Sequence, residues 1–163
     1  MATNFDVFAG SYISIFFNKD VTNKALDSKD FVEVPETGAF PSTGIEREAI
    51  TVPNYSHTYG RKLVGRGSVP DIDLTVNYIP GSVHDELVKL AEDGKRGQFK
   101  VVYWFDASRE IGIGKVYNGF LANATFNGGE SDVVSLAMTL SVDGGPIATG
   151  IIEVPETPET PAP

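Results

Sequence analysis

The bulk properties of the chain limit what it can do. It has 163 residues, 41% of them hydrophobic, which is enough for one domain with an ordinary core. It has no cysteine, which excludes a disulfide framework and a thiolate metal site. The net charge of −9 argues against a surface that grips nucleic acid or anionic lipid; it fits plain solubility, or a surface that stays near DNA without binding it.

No targeting or membrane segment is visible in the sequence. The N-terminus lacks a basic region followed by an apolar run, and the longest apolar runs are too short to span a membrane. We therefore expect synthesis and function in a cytosol-like compartment, without membrane insertion.

The N-terminal part of the chain predicts two strands and a long loop. Residues 5–17 are rich in Phe, Val, Ile and Tyr and predict a first strand, with a bend at Gly10. Residues 31–34 predict a short second strand. Residues 36–67 are punctuated by Gly and Pro, and only residues 49–52 look strand-like. Such a long irregular segment is usually functional or disordered, and this one is too apolar for a simple linker.

The period of the hydrophobic pattern changes twice in the middle of the chain. Residues 71–78 alternate between polar and apolar, as a strand with one buried face does. In residues 82–93 apolar side chains recur at i, i+4 and i+7, which predicts an amphipathic helix. Residues 99–105 are apolar on both faces and predict a strand covered from two sides.

The ends of the predicted helix carry the expected capping residues. Ser82 fits the N-cap, with Asp85 completing a capping box. Gly94 fits the C-cap, where a residue free to adopt a positive φ is favoured. His84 lies in the first turn among acidic residues, where we expect an exposed polar side chain.

The C-terminal part predicts two further strands and a tail. Residues 106–114 predict a turn, residues 116–126 a long strand, and residues 133–142 the last strand after a Gly-rich turn. Residues 153–163 are repeats of Pro, Glu and Thr, which prevent packing. We expect a folded domain over residues 1–152, followed by a disordered tail.

The histidines and carboxylates do not predict a catalytic or metal site. His57 and His84 are the only histidines, and they lie too far apart in sequence to indicate a metal site or a triad. Asp71 and Asp73 share a strand face and could mimic paired acid and base groups. The same spacing is the ordinary polar side of an alternating strand, which is the interpretation we favour.

The remaining motifs also have structural explanations. Neither of the two Gly-x-Gly segments forms a phosphate loop, because the full glycine pattern and the lysine are missing. Arg61, Lys62 and Arg66 form a small basic cluster that fits an intermolecular ion pair or a solvated loop better than a nucleic-acid patch. Tyr103 and Trp104 indicate core or interface. The sequence therefore predicts no catalytic residues, no metal and no cofactor, and we expect a protein that is not an enzyme.

In order and spacing, these segments resemble the major tail tube protein of long, flexible-tailed bacteriophages. The resemblance covers about residues 5–150 and rests on strand and turn segments around a single helix. The segments that carry it are residues 44–52, 59–65, 68–78, 80–93, 99–105, 118–121 and 135–145.

The resemblance implies a mainly β fold, a β-sandwich or barrel-like tube domain with one flanking helix and a long inter-strand loop. It implies hexameric rings, whose sheets join into an inner barrel and which stack into the virion's tail tube after assembly in the host cytoplasm. The partners would be further copies of the chain, the tape measure, tail tip and terminator proteins, and DNA that passes without specific binding. Two alternatives stay open: a ring-forming completion or terminator protein, and a small β-barrel that binds an apolar ligand.

Two sets of residues are predicted to serve assembly and DNA passage. The long loop is expected to be poorly ordered in a monomer and ordered between subunits, through Ile45, Ile50, Tyr55, Tyr59, Arg61, Lys62 and Arg66. The polar faces of two strands contain no basic residue, so we expect them to line the lumen, where a lysine would hold a phosphate. These candidate lumen residues are Asp71, Asp73, Thr75, Asn77, Ser135, Thr139 and Ser141.

Overall fold

The computed structural model describes residues 6–26 and 28–154. These residues form nine strands and one helix. The strands are β1 (Ile13–Asn18), β2 (Val32–Val34), β3 (Glu46–Val52), β4 (Arg61–Ser68), β5 (Ile72–Asn77), β6 (Arg96–Trp104), β7 (Ile111–Gly129), β8 (Asp132–Val142) and β9 (Ala148–Glu153), and the helix is α1 (Val83–Asp93). The predicted class, mainly β with one helix, is confirmed.

Seven strands form one antiparallel sheet that is organised by β7. Their order is β2-β1-β6-β7-β8-β5, and β9 also pairs with β7. The first part of β7 pairs with β6 and β9, and its second part pairs with β8. Strands β3 and β4 form a separate two-stranded sheet.

The main core lies between the sheet and α1. The helix buries Leu87 and Leu90 against the sheet, and the strands contribute Phe17, Phe99, Tyr117 and the buried residues of β5 and β8. A Cβ at Gly97 would lie 2.6 Å from the Phe17 ring and 3.2 Å from Leu90, so glycine is needed where β6 begins beneath the helix.

The loop between β1 and β2 covers the opposite face of β6, as the two-sided apolar pattern predicted. Trp104 and Ile152 pack there with Leu26 of the loop. The loop backbone is held by the buried amide of Gln98 and the half-buried amide of Asn118: Gln98 Nε2 donates to Asn23 O (2.7 Å), and Asn118 Nδ2 donates to Val21 O (2.9 Å). This polar layer was not predicted, because single amides in a strand carry no periodic signal.

The predicted caps of α1 are present, with one difference. Ser82 accepts a hydrogen bond from the His84 amide (3.3 Å), and Gly94 adopts the left-handed conformation with φ of 63°. The Asp85 carboxylate reaches past Ser82, accepting from the Gly81 amide (2.7 Å) and the Tyr78 hydroxyl. The Tyr78 hydrogen bond holds the pKa of Asp85 below its usual value. Asp85 therefore ties the helix to the preceding turn.

The prediction that His84 is exposed was wrong. Its side chain is fully buried, with Nδ1 accepting from the Ile79 amide (3.0 Å) and Nε2 donating to Pro35 O (2.9 Å). His84 precedes Leu87 by three residues and therefore lies on the buried face of the helix. The helical period carried this signal, whereas the acidic neighbours in sequence suggested exposure.

We expect His84→Ala to destabilise the fold by about 2–4 kcal/mol, because it empties a fully buried site and removes the hydrogen-bond partner of the Ile79 amide and the Pro35 carbonyl. Urea unfolding followed by circular dichroism would measure this. The exposed His57 provides the matched control, and His57→Ala should change stability by less than about 0.5 kcal/mol. Equal stability of the two variants would show that the buried hydrogen bonds of His84 contribute little.

Four predicted strand boundaries need correction. The first strand begins at Ile13, because the chain turns at Gly10 and Ser11. β7 begins at Ile111, within the predicted turn. β8 is not the last strand, since β9 follows it and pairs with β7. β9 extends to Glu153, so the predicted tail begins inside a strand; residues 155–163 lie outside the described residues.

Candidate assembly interface

The two strands that were predicted to line the lumen are neighbours in the sheet, and their polar side chains share one face. β5 pairs with β8, so that Asp73 lies opposite Thr139 and Asn77 opposite Ser135. The Thr139 hydroxyl donates to Asp73 Oδ1 (3.2 Å), and the Ser141 hydroxyl donates to Asp71 Oδ1 (3.1 Å). Asp71 lies just before β5 and continues its alternation.

A third strand extends this surface. The β7 residues opposite β8 are Asn123, Thr125 and Asn127, and Asn123 Nδ2 donates to Thr139 Oγ1 (3.2 Å). These three residues were not predicted, because a bulge near Ala122 shifts the side-chain alternation within β7. The polar face is defined by Asp71, Asp73, Thr75, Asn77, Asn123, Thr125, Asn127, Ser135, Thr139 and Ser141. Its only charges are two carboxylates.

The two edges of this three-stranded region differ. On the side away from β8, residues 121–129 of β7 pair with no strand of the described chain. On β5, a short segment pairs with the Asn77 end: Gly38 N donates to Thr75 O, and Asn77 N donates to Glu36 O, both at 2.8 Å. One edge is open and the other is partly covered, so strand addition is possible at the first.

The predicted long loop contains a β-hairpin, which we call the arm (residues 45–68). β4 was not predicted, and β3 is longer than the predicted strand. Between Arg47 and Ala49 the register shifts, and a Cβ at Gly65 would lie 2.9 Å from Glu48 O. Only glycine allows this close approach. Gly65, which suggested a loop in the sequence, is therefore part of a strand that contains a bulge.

The arm is exposed on both faces. Its strands make extended contact only with each other among the described strands and helix. The predicted residues are solvent-exposed: Ile45 by 59%, Ile50 by 45%, and Tyr55 and Tyr59 almost completely. Arg61, Lys62 and Arg66 are also exposed. An isolated two-stranded ribbon is only marginally stable in water.

Two apolar residues of the arm were not among the predicted contact residues. Leu63, which is 52% exposed, lies directly opposite Ile50, so that the two form an apolar pair on one face. Val64 is 75% exposed and lies on the other face, opposite Ala49. Their alternation within residues 61–68 was the available signal, but the three glycines around them concealed it.

The root of the arm is held within the single chain. Phe40 stacks on Tyr103 at 5.3 Å between ring centroids. The Tyr103 hydroxyl donates to Pro41 O (2.6 Å) and lies 2.9 Å from Thr43 Oγ1. Burial raises the pKa of Tyr103, so the hydroxyl stays protonated and can donate at neutral pH. The root is therefore already fixed by contacts within the chain. The prediction that the loop becomes ordered on assembly applies to the arm and not to its root.

Other kinds of site receive no support from the described residues. Within residues 6–26 and 28–154, no three His, Asp or Glu side chains are placed together as metal ligands. No helix in the described part of the chain is long and apolar enough to cross a membrane.

Comparison with known proteins shows similarity in structure. No family model and no curated protein matches the sequence. The SPP1 tail tube, solved by solid-state NMR and cryo-EM, contains a similar chain with a TM-score of 0.59 and 15% identity, over 91% of this chain and 80% of that one.

Two other assemblies contain chains of similar fold. One is the tail of an empty gene transfer agent particle refined with C6 symmetry, with a TM-score of 0.64 and 15% identity, over 86% of this chain and 97% of that one. The other is the sheath–tube complex of an extracellular contractile injection system, with a TM-score of 0.62 and 14% identity, over 91% and 93%. The chain therefore has the fold of tail tube proteins, as the resemblance of its segments implied.

Proposed function

We propose that this protein is a structural subunit that assembles into rings, and that the rings stack into the tail tube of a bacteriophage virion. The observation that supports this most directly is the polar face, a three-stranded surface of small side chains whose only charges are Asp71 and Asp73. A duplex carries about one negative charge per 1.7 Å, so such a surface would let DNA pass without binding it.

The sheet edges support ring formation. In a closed ring, the open edge of β7 in one subunit would meet the β5 side of the next, which would continue the polar face around a lumen. A heterologous contact of this kind closes when the rotation between subunits is a simple fraction of a turn. The C6 symmetry of the gene transfer agent tail suggests six subunits.

The other proposed contacts follow from this role. The predicted arm residues would contact a neighbouring subunit or ring, because they are exposed among the residues that the structure describes. Tape measure, tail tip and terminator proteins would bind the inside and the ends of the tube. The protein would assemble in the host cytoplasm and act in the virion.

Negative-stain electron microscopy of the concentrated, purified protein tests the proposal. We expect tubes of uniform diameter with a stain-filled lumen. Isolated rings without tubes would instead favour a completion or terminator protein, which forms rings but does not polymerise. A monomer at all concentrations would contradict both and would leave the ligand-binding barrel as the remaining alternative.

Truncation after Val154 should leave tube assembly unchanged, because a Pro/Glu/Thr segment offers little apolar area to bury. Sedimentation of the truncated and full-length proteins at matched concentrations would measure this. Loss of tubes on truncation would show that the tail is an interface segment.

A further inference from the structure

Four apolar residues form a row across four adjacent strands. Ile13 of β1 lies opposite Tyr103 of β6, Tyr103 opposite Ile113 of β7, and Ile113 opposite Ile151 of β9. Residues directly opposite in antiparallel strands project from the same face of the sheet. We call this set the apolar row. It is separate from the polar face, which lies on β5, β8 and the second part of β7.

The apolar row is incompletely covered in the single chain. Ile151 is 50% exposed, and the other three residues are partly exposed. Phe40, itself 53% exposed, stacks on Tyr103, and a cavity of about 390 Å³ lies beside them. At the β9 end, the backbone edge away from β7 pairs with no strand of the described chain. An exposed apolar surface next to an open strand edge favours contact with another β-strand.

The arm is complementary to this surface in apolar character and charge. Its end, residues 53–62, carries Tyr55 and Tyr59 on the outside, with Arg61 and Lys62 and no acidic residue. Glu153 and Glu110 lie at the β9 end of the apolar row, where Glu153 pairs with Ile111 and Glu110 O accepts from the Val154 amide. Lys115 lies on the other side of the row. The cationic tip is therefore suited to the glutamate side.

The reach of the arm matches the width of one subunit. Its root lies beside the apolar row, because Thr43 and Phe40 contact Tyr103. The seven residues of β3 extend about 23 Å and the tip, residues 53–60, adds to this length, so the arm approaches the diameter of a small domain, about 30 Å. An arm that leaves beside its own row therefore ends near the same row of an adjacent copy, and a contact of this form repeats along an assembly.

We propose that the arm of one copy binds the apolar row and the β9 edge of a second copy, with Tyr55 and Tyr59 on Ile151 and its neighbours. This inference rests on the proposed self-assembly and identifies the surface that receives the arm. It explains why β9, which adds little to the main core, continues the sheet beyond β7.

The absence of native cysteine allows a specific cross-linking experiment. The variant Tyr55→Cys/Ile151→Cys would be assembled under reducing conditions and then oxidised. We expect a ladder of disulfide-linked chains on non-reducing gels, present in tubes and absent from dilute monomer. The matched control is Tyr55→Cys/Val133→Cys, since Val133 is 71% exposed but lies on β8. It should give no ladder.

A second variant keeps the proposal testable if the cysteine pairs disturb assembly. Ile151→Asp should raise the protein concentration needed for assembly at least about tenfold through loss of a buried aliphatic contact, while Val133→Asp should not. Tubes that show no 55–151 linkage, or Ile151→Asp tubes that form as in the wild type, would overturn the proposed contact alone. A wild-type protein that forms no assembly would overturn the proposed function and this contact with it.

Discussion

Removal of the arm should abolish tube assembly and leave a folded monomer. The variant replaces residues 45–68 with a short Gly-Ser turn. Because the arm strands make extended contact with each other and with no other described strand or helix, their loss should change the free energy of unfolding by less than about 1 kcal/mol. The exposed apolar residues and the cations of the arm would be lost together, so we expect no tubes at concentrations where the wild type polymerises completely.

Sedimentation and electron microscopy would measure assembly, and urea unfolding would measure the stability of the monomer. A graded control is Tyr55→Ser/Tyr59→Ser, which keeps the hairpin and removes only its two exposed rings; assembly should weaken without disappearing. Normal tubes from the variant without the arm would show that the arm is not an interface. An unfolded variant would show that the arm supports the core.

The elements that the sequence predicted well are those whose pattern is local. The alternation around β5 and β8 depends on two-residue periodicity, and the structure buries Leu74 and Leu136 while Asp73 and Thr139 face outward. The helix and its caps depend on residues within four positions of each other. In each case the side chains that decide the conformation are near neighbours in sequence.

The elements that were missed depend on distant parts of the chain. β9 contains Ala148 and Gly150, and both residue types have low strand propensity. The strand forms because it pairs with β7 and buries Ile152. The arm was interpreted as irregular because its glycines serve a bulge against the partner strand. His84 is bound by the nearby Ile79 amide and by the Pro35 carbonyl, which is distant in sequence. The partners that lie far along the chain, Pro35 and β7, leave no local pattern.

The candidate site was predicted in part for the same reason. Both strands of the polar face were chosen from their lack of basic residues, and the structure shows that they are neighbours. The contribution of β7 required knowledge of its pairing and of the bulge near Ala122. The apolar row was not visible at all, since its members come from four strands, and the first and last of them, Ile13 and Ile151, lie at opposite ends of the described chain.

The polarity of each surface therefore matches the contact that the surface would make. The polar face is neutral or acidic, which suits a channel for DNA. The arm and the apolar row are exposed, apolar and opposite in local charge at their ends, which suits contact between copies. Since the two kinds of surface lie on different strands, substitutions can alter DNA passage without altering assembly.

Reversing the charge of the polar face should slow DNA ejection while tubes still form. In Asp71→Lys/Asp73→Lys, each subunit would present two ammonium groups where two carboxylates stood, and each could form charge-assisted contacts with passing phosphates. Both carboxylates are exposed and accept from the hydroxyl groups of Thr139 and Ser141 in the described part of the chain, so the monomer should keep its fold. The rate of DNA release from triggered virions that carry these tubes would measure the effect.

Two controls separate lumen charge from total charge. Glu92→Lys/Asp93→Lys makes the same charge change on exposed residues of α1, away from the polar face, and should eject DNA at the wild-type rate. Asp71→Asn/Asp73→Asn removes the charge, retains hydrogen bonding to Thr139 and Ser141, and should have a smaller effect than the lysines. Because exposed charges are screened beyond about 8 Å at physiological ionic strength, the slowing should weaken as salt is raised. If the polar-face and helix lysine variants ejected DNA at equal rates, the polar face would not line the channel, since the same added charge would then act equally from either surface.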